Sequence, residues 1–205
     1  MAEDASDGRR IRRSKRSLKS SLLLLMKTRQ LREITVREIA ENVDVSRATF
    51  YKYYRSKEGL LAAITDEVVA DFTASCRNYL VNIPQPKNPK GLADLVFGHF
   101  LRNADFYSVI FDSTSLPGFQ KRIVDVLKSL AMEDLKYLHP RPAMNIKLRN
   151  SFQAYAVLGM IVEWAGEGFK HSPDYMADQL LEIVRFTEQA ASERSGQHSI
   201  VQSQG

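Results

Sequence analysis

The chain has 205 residues, 44% of them apolar and 9% aromatic, enough for a real core in one large domain or in a small and a medium one. Its single cysteine, Cys76, excludes an intramolecular disulfide and any multi-cysteine zinc site. The net charge of +5 is unevenly placed: residues 1–60 carry 15 Lys and Arg against 8 Asp and Glu, the remainder 14 against 16. A polyanion-binding head on a slightly acidic body would look like this.

Residues 1–13 are polar, charged and aperiodic, and read as a disordered basic arm. Arg9, Arg10, Arg12, Arg13, Lys15 and Arg16 crowd six cations into eight positions, suited to phosphates or a narrow minor groove. A first helix is expected from Ser14 or Ser17 to Thr28, burying Leu18, Leu22, Leu25 and Met26.

The stretch Thr35 to Lys57 is the most informative. Ile39, Ala40 and Val43 form one apolar face of a short helix opened by Thr35. Asp44 marks a turn and Ser46 caps a second helix. There Phe50 and Tyr54 point inward, while Glu38 and Glu41 read as solvated charges. Two short helices with a polar outer face match a helix-turn-helix, whose second helix enters the DNA major groove.

Ser56 caps a long helix to about Val81, with Leu60, Leu61, Ile64, Val68, Phe72 and Cys76 buried. The prolines of 84–89 break it. Further helices are expected from Asn88 to Asn103, Asp105 to Phe111, Gly118 to Leu138, Met144 to Gly166 and Pro173 to Ala191, with a disordered tail at 192–205. The fold class is therefore all-α: a three-helix head over 14–58 containing the helix-turn-helix, then a larger helical bundle over 59–191 that binds ligand and dimerises.

The series T-x-R-E-I-A, then V-S-x-x-T-F-Y-x-Y-Y-x-S-K-E-x-L, resembles the TetR family of bacterial regulators over Ile11 to Phe72. Tyr155 to Gly159, Glu163-Trp164, Ser172-Pro173 and Met176-Ala177 look like a C-terminal type common in the Firmicutes. Asp44 stands where the family usually has a turn glycine. The resemblance implies a homodimer that binds a double-stranded, near-palindromic operator, usually to repress, and is released by a small molecule. The other reading is an activator that works through a protein partner with no small-molecule effector.

Carried over residue by residue, Thr35 and Arg37 would face DNA from the first of the two helices. Arg47, Ala48, Thr49, Tyr51, Lys52 and Tyr53 would do so from the second, and Lys57 from the start of the next. Arg47 can present two donors to guanine O6 and N7, and Ala48 or the Thr49 methyl can meet a thymine methyl. Arg37, Tyr51, Lys52, Tyr53 and Lys57 suit phosphates.

In the body, Phe97, Phe100, Tyr107, Phe111, Phe152, Tyr155 and Trp164 are candidates to line a pocket for a small hydrophobic effector. Ala156, Gly159, Leu180 and Val184 are candidates for the dimer interface, where small residues admit close backbones. His99, His139, His171 and His198 lack metal spacing, so no metal or cofactor is expected. No glycine-rich phosphate loop or Ser–His–Asp pattern suggests an enzyme. The start, MAEDASDGRR, shows no secretory signal, and the longest apolar run, Ala154 to Val162, falls short of the roughly 20 residues a membrane span needs. A cytoplasmic location is expected.

Overall fold

The computed structural model describes residues 2–82, 88–111, 116, 118–134 and 144–186. Regular structure among them is helical throughout: α1 (Ala2–Met26), a 3₁₀ turn (Leu31–Glu33), α2 (Val36–Glu41), α3 (Arg47–Tyr53), α4 (Lys57–Asn82), α5 (Pro89–Arg102), α6 (Ala104–Ile110), α7 (Phe119–Asp134), α8 (Ile146–Gly166) and α9 (173–186). The end expected near Leu138, the loop that follows it, the last turns to Ala191 and the tail from 192 lie outside the described residues.

The first helix differs from expectation. Residues 2–13, read as a disordered arm, continue α1 as helix from Ala2. The physical reason is local. No proline and one glycine, Gly8, interrupt this stretch, its arginines are good helix formers, and Glu3, Asp4 and Asp7 oppose the dipole at the N-terminal end. A basic composition signalled solvation and hid that propensity.

Most caps fall where side-chain chemistry puts them. Thr35, Ser46, Ser56 and Asn88 each accept a bond from a free N–H at a helix start. Asp44 holds φ 51°, a left-handed turn residue that stands in for glycine, and the Val45 N–H then closes on the Ala40 carbonyl at 3.0 Å. The buried Ser21 hydroxyl donates to the Ile39 carbonyl at 2.8 Å and accepts from Asn42 at 3.1 Å, which fixes α1 against α2.

Head and body share one apolar core. Leu18, Leu22, Ile34, Ile39, Phe50 and Leu60 fill the head, and Phe72, Phe97, Phe100, Tyr107, Ile161 and Trp164 fill the body. Two ion pairs reinforce the placement of the helices: Lys27 of α1 meets Asp105 of α6 at 2.6 Å, and Arg122 of α7 meets Asp66 of α4 at 2.9 Å. Val126 is half-buried, and Met132, expected inward on α7, is exposed.

Candidate nucleic-acid interface

The head builds its outer surface by committing its inner one. Phe50 is fully buried, and Tyr54 packs beside it half-buried. On a helix of seven residues this leaves Arg47, Ala48, Tyr51 and Lys52 exposed together. The Arg47 guanidinium has no partner among the described residues, so its five donors are available. Thr49 is half-buried, its hydroxyl 2.9 Å from that of Ser46, which turns its methyl rather than its oxygen into the useful contact. Tyr53 is half-buried and stacked under two ammonium groups, Lys15 at 5.4 Å and Lys52 at 5.9 Å from the ring centroid.

The other candidates are more constrained than their sequence suggests. Thr35 is exposed, but its hydroxyl accepts from the Glu38 N–H at 3.2 Å and donates to Glu38 Oε2 at 2.8 Å. Arg37 is exposed and donates through Nε to Glu41 at 2.7 Å. Lys57 does open α4, yet its ammonium donates to the Ile34 carbonyl at 2.7 Å and the Arg32 carbonyl at 3.1 Å. One N–H remains for an outside group.

Glu38 and Glu41 are therefore paired rather than freely solvated. Glu38 accepts from Arg29 at 2.7 Å, and this bond, together with those from Thr35, holds its carboxyl at about 2. The pattern Thr35-x-x-Glu38 is a capping box legible in the sequence. The parts played by Arg29 and Lys15 are not, because both reach across from other elements.

In the body, the aromatic candidates divide. Phe97 and Trp164 pack edge to face at 5.8 Å, Phe100 and Tyr107 at 4.2 Å, and Phe111 stacks on Tyr107 at 5.5 Å. These rings are core packed on each other, with no cavity among them. Phe152 and Tyr155, expected to line the same pocket, are 71% and 57% exposed on the opposite face of α8. The helix was read as apolar all round, and only the position of α7 decides which side is inner.

A cavity of 530 Å³ lies instead between α4 and α7, bounded by Thr73, Cys76, Arg77, Leu80, Val126 and Leu130 among others. Burial pushes the Cys76 thiol up to about 12, so it is a soft apolar wall and not a nucleophile. Beside this cavity, His99 is fully buried, with Nδ1 3.1 Å from Asp71 and Nε2 2.9 Å from the Tyr107 hydroxyl. Burial holds its pKa below the ordinary value despite the Asp71 carboxylate. Among the described residues no cluster of His, Cys, Asp or Glu could hold a metal, and no helix is long and apolar enough to cross a membrane.

On its outer side, α8 exposes Leu148, Phe152, Tyr155, Ala156 and Gly159 along one face. Ile183, Val184 and Phe186 are exposed on α9, with Leu180 half-buried. Side chains of that size are not left open over two helices without reason.

A capped short helix, a left-handed turn residue and a second capped helix with a cationic outer face define a helix-turn-helix protein. Residues 25–64 match the bacterial regulatory proteins of the tetR family, and residues 87–186 match a transcriptional regulator C-terminal region of TetR type. The chain belongs to the TetR family of transcriptional regulators, which are not enzymes.

The uncharacterized HTH-type transcriptional regulator YxbF of Bacillus subtilis (strain 168) is 25% identical over 172 residues, 82% of this chain and 43% of that protein. The chain thus spans less than half the length of this curated relative. Among solved structures, the fatty acid degradation regulator FadR of Bacillus halodurans superposes with a TM-score of 0.66 at 12% identity, covering 83% of this chain and 93% of that one. FadR of Bacillus subtilis in complex with stearoyl-CoA gives 0.63 at 14% identity, covering 82% and 95%. At such identities the likeness is one of fold.

Proposed function

We propose that the chain is a homodimeric, sequence-specific regulator that binds a double-stranded operator and represses transcription until a small molecule enters its body. The observation that carries DNA binding is the outer face of α3, where Arg47, Ala48, Tyr51 and Lys52 stand exposed and Arg47 has no internal partner. Arg47 reads bases, Ala48 and the Thr49 methyl add apolar contacts, and Arg37, Tyr51, Lys52 and Tyr53 hold phosphates. Lys57 adds one phosphate contact from its remaining N–H. Thr35 contributes mainly by capping α2.

Residues 2–58 form the DNA-binding head, and the body from 59 onward carries the pairing and effector functions. The exposed apolar surface of α8 and α9, centred on Ala156, Gly159, Leu180 and Val184, supports pairing of two copies. Phe152 and Tyr155 join that surface rather than the effector pocket. A second copy also matches the two half-sites, one helical turn apart, that such heads read.

The α4–α7 cavity supports an effector with an apolar body and an anionic end. Leu80, Val126 and Leu130 offer the apolar wall, and Arg77, without an ion pair among the described residues, offers the cation. The B. subtilis FadR holds stearoyl-CoA, which makes that molecule a rational first probe. The test is a gel-retardation assay with DNA from upstream of the chain's own gene, with and without stearoyl-CoA, beside reporter output in a deletion strain. A retarded band and increased output on deletion support repression. No retardation of any upstream fragment would overturn the reading, and decreased output would reassign the protein as an activator.

A further inference from the structure

From Gly8 to Met26, α1 contains no acidic residue at all. A helix face that merely dissolves a protein mixes both signs, usually as pairs four residues apart. Here Arg9, Arg12, Arg13 and Arg16 recur at i, i+3, i+4 and i+7, the spacing that aligns side chains on one side of a helix. All four are exposed, and none has an ion pair among the described residues. Ile11 and Ser14 are half-buried and Leu18 is buried, so the arginine face points away from the packed side.

Its position is set by a contact with the second helix of the motif. Lys15, adjacent to Arg16 and one turn from Arg12, lays its ammonium 5.4 Å from the ring centroid of Tyr53, the last residue of α3. The arginine face therefore lies at the end of the head where α3 ends. It extends about 10 Å along the helix axis, long enough to meet several phosphates of one strand.

We propose that Arg9, Arg12, Arg13 and Arg16 form a second DNA-contacting surface, which grips the phosphates of the duplex flanking the bases met by α3. This rests on the DNA-binding reading above. Charge complementarity selects the occupant: four guanidinium forks with no internal acid suit phosphate oxygens. An anionic membrane would attract the same charges, but a membrane-seeking helix needs an exposed apolar stripe beside them. The apolar positions of α1 nearest the stripe, Ile11 and Leu18, are turned toward the head. The contact adds affinity and extends the footprint without reading sequence.

The experiment uses the full chain and its R9Q/R12Q/R13Q/R16Q variant, with an R9K/R12K/R13K/R16K variant as charge control. The probes are an upstream duplex cut to the region protected by the wild-type chain, and the same duplex lengthened by about 10 bp on each side. Binding is followed from about 50 to about 200 mM salt, together with binding to phosphatidylglycerol vesicles.

The Gln variant is expected to fold normally and keep its preference over scrambled duplex. It should lose the advantage of the longer duplex, and its log K against log salt slope should fall by about 2–4, near 0.9 for each phosphate released. The Lys variant should restore most of the slope. An unchanged slope in the Gln variant would overturn the proposal while leaving α3 as the reader. Loss of vesicle binding with an unchanged DNA slope would overturn it in favour of a membrane. A wild-type chain with no preference for any duplex removes the DNA-binding reading itself, an outcome decided without the variants.

Discussion

Arg29 donates to Glu38 Oε1 at 2.7 Å, and the other oxygen of that carboxylate accepts from the backbone and the hydroxyl of Thr35. One side chain thus closes the cap of α2 and ties it to the turn before it. The Arg29 bond is the largest cause holding the Glu38 carboxyl at about 2, with the two Thr35 bonds next. A carboxylate lowered in the folded state stabilises above its unfolded pKa and loses that contribution as the pH falls. The contribution of Glu38 should therefore be complete above about pH 4.5 and decline toward pH 2. Thermal melts of the wild-type and E38Q chains should differ most near neutrality and converge through that window. A constant gap would remove the carboxylate from the cap.

His99 gives the opposite group in the same direction. Burial lowers its pKa, so between that value and its ordinary one near 6.5 the unfolded chain binds more protons. Stability should fall as the pH drops below about 6.5. H99F should lose part of this acid sensitivity but strand the buried Tyr107 hydroxyl, at a cost of about 1–3 kcal/mol. Denaturant titrations at pH 5 and pH 8 measure both effects.

Asp44 carries φ 51°. D44G should stabilise the chain by up to about 1 kcal/mol, and D44V should destabilise it by about 1–2 kcal/mol, because a β-branched side chain fits that region poorly. DNA affinity should follow only the loss of fold. If D44V melts like the wild type, the turn does not need the left-handed residue.

Arg47 is exposed and unpaired among the described residues, so R47A should leave the melting temperature unchanged. It should cost about 1–3 kcal/mol of discrimination between operator and scrambled duplex. Equal selectivity in a competition assay would exclude Arg47 from base contact.

A Cβ placed on Gly159 would meet nothing within 4 Å in one copy of the chain. G159W should therefore fold as a monomer but separate the pair, as should F152E on the same exposed face. Sedimentation velocity at micromolar protein should report the single chain for both. Persistent dimers would move the interface elsewhere.

The head was legible because its information is local. Capping residues, the i to i+4 spacing of Phe50 and Tyr54 and the Asp44 turn each act within a few residues, and each stands where periodicity put it. The body was legible as helices but not as surfaces. Trp164 and Phe152 are both aromatic residues of α8, yet one is buried and the other open, and only the packing of α7 distinguishes them. The cavity escaped notice for a related reason: Thr73, Arg77 and Ser129 form no pattern until α4 and α7 lie side by side. For α1, composition suggested a loose arm where propensity favoured helix.

The unbroken length of α4 gives the molecule a lever arm. Its 26 residues span roughly 39 Å at about 1.5 Å per residue, with the cavity wall from Thr73 to Val81 at one end and the Lys57 grip on Arg32 and Ile34 at the other. A tilt of about 5° at the cavity would swing the far end by about 3 Å, close to one nucleotide step along a strand. In a twofold pair the two swings act together on the spacing of the α3 helices. Such gearing would let a modest change of shape around a guest molecule set whether both heads stay in register with the duplex.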